Sequence, residues 1–559
     1  MIIERIRNGW RDRSARPWQV LLLVALAAGA FLRWYQLRTQ VLIDDEWHAV
    51  RMLIQADAHV IATHFGFADY CIPLTLYFRL LYEHGMLDEW LMHLPSLLAG
   101  LALLAVAPML MRRTLSLPTR VVWTALLAIS PALVYYSRTA RPYALVAVLG
   151  LVALMSFRRW WLGERKGALA YAAIYVLTTA LAGWLHLLSL AFTLWPFAYY
   201  GVFVLRDLVR AQTRRQALHS LGRMLLLALV TVLPLVALLA PPMINDAAAM
   251  FAKTGTHSVT LESLYRGVLM QFGISQAWLC AVMAVLLVIG VRRLAKRDAD
   301  FTAMIISMIV VATAVIASSR AAWIVHSAVL VRYTVVAFPF LLLFVAEGFV
   351  GVVERIRLPA LAAIASAAAA AGLYLAGPFP GFLYSPNQFM GHAIFQFDYD
   401  ARVNPYATSL VLGPVSPFYR DLAKLPAGSV KLIETPASFV SNFTPGPWIQ
   451  AIHRQKLKFA LAAPLCGVGD WDEYPYTATG MRMRNVVQLT DVIGGTTYGA
   501  DYLVMHMHVW TVPPGIERPW PDMPACVAKV AEKLGQPVYS DDQIVVFALA
   551  SKGAHAAAD

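Results

Sequence analysis

The chain has 559 residues, 59% of them hydrophobic and only 14% charged, with a formal net charge of +13 and a mean hydropathy of +0.59. Soluble chains carry about 25% charged residues, so this composition excludes an ordinary soluble globule and reads as a polytopic α-helical membrane protein. The basic excess lies in short connections between apolar runs, as topology requires, and no run interleaves aromatics and basics as a single-strand groove does; nucleic acid is therefore not an expected partner.

A helix needs roughly 20 apolar residues to cross the hydrocarbon layer. The sequence offers about 11 such spans, at about 17–36, 91–111, 121–137, 142–157, 167–185, 187–205, 222–241, 274–291, 301–318, 331–349 and 359–377. The first has a basic lead and the small-residue run Ala27-Ala28-Gly29-Ala30, so a cleaved signal peptide is conceivable. The apolar run nevertheless continues through Phe31, Leu32, Trp34 and Tyr35, which reads as a helix reaching an aromatic belt.

Lys and Arg set the orientation. With the N-terminus cytoplasmic, every inside segment is basic, from Arg5, Arg7 and Arg11 through Arg112, Arg113 and Arg120 to Arg355 and Arg357. The expected location is a bacterial inner (plasma) membrane, with membrane lipids as neighbours. Residues 1–377 form the transmembrane domain and 378–559 a periplasmic, extracytoplasmic α/β domain. In that second part, strand-like runs at Val430–Glu434, Tyr502–Val509 and Gln543–Leu549 alternate with helix-like ones such as Cys526–Leu534. Cys466 and Cys526 also fall there, where a disulfide and two free thiols are both open readings.

The first outer loop, 37–90, opens on the acidic cluster Asp44-Asp45-Glu46. Glu46–Ile54 has helical spacing, and Leu74–Leu81 is apolar between Pro73 and Glu83. Both are expected to lie along the membrane interface and to hold Asp45 over the bundle mouth. Later bends on the same side add Arg138, Arg141, His186, Arg320 and Arg332. The spans carry essentially no ionisable residue near their middle, and Arg33, His93, His186 and Arg332 lie near outer ends. Ion-coupled carriers place such groups near the midplane, so the pattern argues against one.

Several blocks carry a resemblance. Val41–Arg51, VLIDDEWHAVR, is similar to the acidic signature of the GT-C superfamily of membrane glycosyltransferases, which use lipid-linked sugars. Pro73–Gly100, PLTLYFRLLYEHGMLDEWLMHLPSLLAG, resembles that family's next stretch, and Ser130–Leu145, SPALVYYSRTARPYAL, another recurrent block. His186 and Arg332–Pro339, RYTVVAFP, resemble two more. The protein mannosyltransferase-like and aminoarabinose transferase-like members look most similar. One departure is Asp69-Tyr70-Cys71-Ile72-Pro73-Leu74, where many relatives carry a His-Pro-Pro-Leu or Asn-Pro-Pro-Leu run.

The resemblance implies a GT-C-like fold and an inverting transfer from a polyprenyl-phosphate-linked sugar donor to an extracytoplasmic glycan, lipid or protein acceptor. It implies Asp45 as the base, with Glu46 as second choice or partner. Capping of the following helix remains the alternative for Asp45 and fits Asp44 best. Guanidiniums bind phosphate in a bidentate way. Arg138, Arg141 and Arg332 are thus expected at the donor phosphate, with His186, Tyr143 and Tyr333 adding contacts; the alternative is arginines snorkelling to headgroups. Asp69 is a candidate acceptor contact. Arg320 and His326 lie outside the matched blocks. No metal is expected to be required, although an Asp44–Glu46 cluster could hold a divalent ion. His506 and His508, with Asp472, Glu473 or Cys466, lack metal-ligand spacing, and Asn442-Phe443-Thr444 fits a glycan-acceptor pattern that arises often by chance. The rival readings are a polysaccharide or lipid transporter and a non-catalytic scaffold of a glycan-assembly complex.

Overall fold

The computed structural model describes residues 14–35, 37–39, 42, 46–66, 71–163, 167–210, 214–274, 277–322, 324–325, 327–377, 415–436, 450, 452–467, 479–507 and 522–549. Among them, 10 helices are long and apolar enough to cross a membrane. The described residues divide between two compact units. One falls within Met1–Trp34, Ala58–Leu76 and Leu94–Gly377, the other within Tyr35–Asp57, Tyr77–His93 and Pro378–Asp559.

Each predicted span coincides with helix, but three are not single helices. The expected 187–205 span is a 3₁₀ turn at Leu187–Ser189, a short helix Leu190–Thr193 and the helix Trp195–Val209. The expected 121–137 span is Leu117–Ile129 followed by the short helix Pro131–Tyr136. Pro131 has no N–H to donate and forces the preceding residue out of the helical region; Ser130 is extended at φ −66° and ψ 116°. The expected 331–349 span begins with the separate helix Ser327–Tyr333. Thr334, at φ −102° and ψ 14°, then leads through a 3₁₀ turn into Phe338–Val353.

Helix ends are fixed locally. Ser116 Oγ accepts from Thr119 N at 3.4 Å, and Asp298 Oδ1 accepts from Phe301 N at 3.1 Å, each supplying an acceptor that the first turn otherwise lacks. The helix Leu261–Phe272, absent from the sequence expectations, opens on a Thr260/Ser263 capping box.

Helices Ala277–Arg297 and Phe338–Val353 pack together over a long contact. At its centre a Cβ on Gly290 would lie 1.7 Å from Phe344 O, and one on Gly348 would lie 1.8 Å from Leu286 O. Only glycine permits this backbone approach. Further along this pair, fully buried Glu347 accepts from Thr119 Oγ1 at 2.7 Å and Arg297 Nη2 at 3.0 Å. Those partners belong to the first turn of Leu117–Ile129 and the last turn of Ala277–Arg297. The buried charge is therefore level with helix ends. A second clamp of this kind joins Arg158 to Asp298 at 2.5 Å.

In the other unit, six strands form one sheet: β1 Lys431–Thr435, β2 Lys456–Leu461, β3 Val486–Gln488, β4 Tyr502–His506, β5 Tyr539–Ser540 and β6 Ile544–Ala548. Their order is β3-β2-β1-β4-β6-β5, parallel from β3 through β4 and antiparallel from β4 to β6 and β5. One face packs Ile433, Leu503, Met505 and Phe547 against Cys526 and Val530 of the helix Met523–Leu534. Cys466 and Cys526 are joined in a disulfide beside that face. The predicted strands β1, β4 and β6 and the predicted helix are all present; β2 and β3 were not anticipated.

The same unit takes in Tyr35–Asp57 and Tyr77–His93 of the first outer loop, whereas Ala58–Leu76 falls in the first unit. Within the loop, Glu46–Gln55 and Ile72–Glu83 are helical as expected, and the short helix Ala58–Thr63 lies between them in sequence. Arg482 N donates to Leu87 O at 3.0 Å, and buried Glu89 accepts from Leu42 N and Arg484 N, both at 3.3 Å.

Candidate functional site

Three helix breaks in the first unit supply one cluster. Tyr143 opens the helix Tyr143–Trp161 directly after Pro142, whose φ of −73° suits a helix entry. His186 ends the helix Ala168–Leu185 in an extended conformation, φ −158° and ψ 105°. Arg332 and Tyr333 close the helix Ser327–Tyr333. Each break releases a side chain from helical packing and turns it toward the others.

The imidazole of His186 lies 5.8 Å from the Tyr143 ring and 5.3 Å from the Tyr333 ring, centroid to centroid. The Arg332 guanidinium carbon stands 5.9 Å from the Tyr143 centroid and 5.5 Å from that of Tyr333. A cation held over two phenol faces gains about 0.5–2 kcal/mol per face, more as water is excluded. Tyr143 and His186 are buried, whereas Arg332 and Tyr333 are half-buried. Tyr136 packs behind Tyr143 at 4.9 Å.

Arg138 and Arg141 occupy the turn just before Tyr143 and are both buried. Arg138 Nη1 donates to Leu32 O at 3.2 Å and Arg33 O at 3.1 Å, so it caps the carboxyl end of the first helix, where a cation also meets the helix dipole. Burial pulls its guanidinium down to about 9, which leaves it protonated at neutral pH. Arg141 Nη1 donates to Cys71 Sγ at 3.4 Å, and its carbonyl accepts from Ser96 Oγ at 3.0 Å. Cys71 belongs to the stretch 69–74 singled out in the sequence.

Arg33, seen in the sequence only as an ionisable residue near a span end, ties this region together. Its Nε donates to Ser137 Oγ at 3.2 Å, Nη1 to Ala128 O at 3.2 Å and Nη2 to Leu127 O at 3.0 Å. The guanidinium thus closes the carboxyl end of Leu117–Ile129 and anchors the residue before Arg138.

Asp44, Asp45 and Asp69 lie outside the described residues, as do His326, Asp472, Glu473, His508 and the Asn442–Thr444 pattern. Glu46 belongs to the second unit and is buried at the head of its helix, where Oε1 meets His93 Nε2 at 2.9 Å. The adjacent Trp47 donates to Leu42 O at 2.9 Å. His93 was not proposed as a site residue; its signal was an ionisable group within the second matched block. Cys466 is held in the disulfide, and His506 bonds Glu434 and Tyr419. Among the described residues no group of three or more His, Cys, Asp or Glu side chains could hold a metal.

No protein-family model matches the chain, and no curated protein matches it. Among solved structures, the chain is similar to ArnT from Cupriavidus metallidurans in the apo state, at 14% identity and TM-score 0.45, covering 96% of this chain and 99% of that one. It is similar to ArnT bound to undecaprenyl phosphate at 13% identity and the same TM-score and coverage. It also aligns with the archaeal oligosaccharyltransferase AglB from Archaeoglobus fulgidus, in complex with an inhibitory peptide and a dolichol-phosphate, at 12% identity and TM-score 0.40, covering 88% of this chain and 69% of that one. ArnT and AglB are both membrane glycosyltransferases of the GT-C superfamily.

Proposed function

We propose that the chain is an inverting glycosyltransferase of the inner membrane that moves a sugar from a polyprenyl phosphate to an acceptor on the periplasmic side. The N-terminus is then cytoplasmic and the C-terminal α/β domain periplasmic. The observation that carries this reading is the convergence of Tyr143, His186, Arg332 and Tyr333 from three helix breaks. Those breaks fall in sequence blocks that resemble the lipid-sugar-dependent enzymes.

In this mechanism the acceptor hydroxyl attacks the anomeric carbon and gives its proton to Asp45. The bond from that carbon to the phosphate oxygen breaks with inversion, and polyprenyl phosphate leaves. Charge grows on the departing phosphate, where preorganised cations lower the barrier. Arg141 and Arg332 supply that charge, and His186, Tyr143 and Tyr333 supply hydrogen bonds. Arg138, with Nη1 already on two carbonyls, holds the turn that presents them. Glu46, fixed by His93, is the partner that orients Asp45 or the acceptor. Asp69 is a further acceptor contact.

Loss of the gene identifies the reaction. Surface glycolipids, polysaccharides and glycoproteins are compared by mass spectrometry with and without the protein. The expected result is one missing sugar residue on one class of acceptor. An unchanged set of glycans would contradict the proposal.

A further inference from the structure

The C-terminal sheet holds a polar cluster that the transfer reaction does not use. The chain runs from β1 outward through β2 to β3 and returns to β4 on the other side of β1. That reversal is a topological switch point, and parallel α/β sheets form their ligand crevices outside the carboxyl ends of the strands there. Glu434 is the penultimate residue of β1 and His506 the last of β4. In register Glu434 stands opposite Val504, so the two-residue alternation of the strands puts Glu434 and His506 on one face. It is the face opposite the Met523–Leu534 helix.

Their contacts are specific. Tyr419 Oη, from the helix Pro417–Leu422, donates to Glu434 Oε1 at 2.9 Å. His506 Nε2 lies 3.3 Å from Glu434 Oε2. The Tyr419 ring stacks on His453 at 5.5 Å and an interplanar angle of 19°. All four residues are buried. Burial works to raise the Glu434 carboxyl, but the hydrogen bond and charge of His506, with His453 and Tyr419, outweigh it and hold it below its ordinary value. The group is therefore an ionised acceptor inside the fold.

His453 decides what is missing. Its Nδ1 accepts from Gln455 N at 2.9 Å, so the proton of the neutral ring sits on Nε2. That Nε2–H is buried and has no acceptor among the described residues. Leaving a buried donor unsatisfied costs stability. A carboxylate has about four lone-pair sites, and the protein donors described here take two of them at Glu434. Tyr419, bonded to Glu434 and stacked on His453, thus has a spare acceptor on one neighbour and a spare donor on the other. An anion would meet the Glu434 charge, an ammonium group could not accept from His453, and no metal-binding group is present among the described residues. A hydroxyl both donates and accepts.

We propose that Glu434, His506, Tyr419 and His453 form a binding site for a neutral, hydroxyl-rich ligand, a saccharide, at the carboxyl ends of β1 and β4. The ligand's hydroxyl donates to Glu434 and accepts from His453 Nε2–H. The site is separate from the transfer chemistry and binds whether or not the membrane part transfers a sugar.

The test uses the full chain in nanodiscs, without donor lipid, with ¹⁵N-labelled histidine observed by NMR. The probes are a panel of neutral mono- and oligosaccharides, inorganic phosphate and zinc. The expected result is a saccharide that shifts the His453 Nε2 resonance, with affinity reduced roughly tenfold or more in Glu434→Gln or Tyr419→Phe. Phosphate and zinc leave the resonance in place. Three results overturn the proposal: no saccharide moves His453, phosphate or zinc moves it instead, or the Nε2 proton contacts an ordered water only. The wild-type titration stands even if a variant fails to fold.

Discussion

Arg33 and Ser137 meet where Gly100 passes. A Cβ at Gly100 would fall 2.0 Å from Ser137 Oγ and 3.2 Å from Arg33 Nε, so Gly100→Ala is expected to push Ser137 away and to release Arg33 from the turn. Overpacking of this kind costs about 1–3 kcal/mol, read as a lower melting temperature of the purified protein. Ser137→Ala removes two hydrogen bonds, the one accepted from Arg33 Nε and the one donated to Leu133 O, without the clash and should cost about 1–2 kcal/mol. Equal melting of both variants and the wild type would show that the Arg33 contacts do not matter. At the cluster, Arg332→Lys keeps the charge but loses the planar fork that grips phosphate. Donor affinity should fall by at least about tenfold, a single strong hydrogen bond's worth, in a lipid-binding assay. In the C-terminal sheet, burial depresses His453 from 6.5 to about 4, against the opposing pull of Glu434. His506, Tyr419 and Glu434 are the polar and titratable groups facing it. A depressed group contributes stability that is complete above about pH 6.5 and is lost as pH falls toward about 4. The ceiling of that loss is about 3 kcal/mol. Glu434, also depressed, adds its own loss only at lower pH. Melting measured at pH 7.5 and pH 5 should therefore fall further in the wild type than in His453→Phe; parallel slopes would contradict this.

Among the elements, the pair Ala277–Arg297 and Phe338–Val353 depends on Gly290 and Gly348. Gly348→Ala would set a methyl against Leu286 O and drive the helices apart. By contrast Gly222, with nothing within 4 Å of its Cβ position, should accept alanine with a gain of up to about 1 kcal/mol. A thermal comparison of the two variants checks the helix contact, and equal stability would refute it. The same elements show why sequence reading reaches only part of the fold. Apolar length marked every described helix that is long and apolar enough to cross, because desolvation dominates that choice. It did not mark where Ser130-Pro131 or Thr334 interrupts a span, since an interrupted apolar run stays apolar. Strand β2, Lys456–Leu461, alternates charge and apolar side chains, a pattern that was present but overshadowed by stronger neighbours. Strand β3 has three residues, too few for any period.

For the whole molecule, the candidate site was legible where residues near helix breaks resemble known blocks: Tyr143, His186, Arg332 and Tyr333 come together. What the sequence concealed was pairing across long separations. His93 finds Glu46 and Arg33 finds Ser137, and neither contact leaves a periodic trace in the chain. Glu347 drew no expectation from the sequence, because its partners Thr119 and Arg297 lie on other helices. Sugar transfer as proposed requires proton abstraction by Asp45. Its most direct test is single-turnover transfer by the purified full chain in nanodiscs, from the polyprenyl-phosphate sugar that the glycan comparison identifies, with wild type beside Asp45→Asn. Asp45→Asn is expected to bind donor normally and to transfer about 10²–10⁴-fold more slowly; transfer by Asp45→Asn at the wild-type rate would contradict a role for Asp45 as the base.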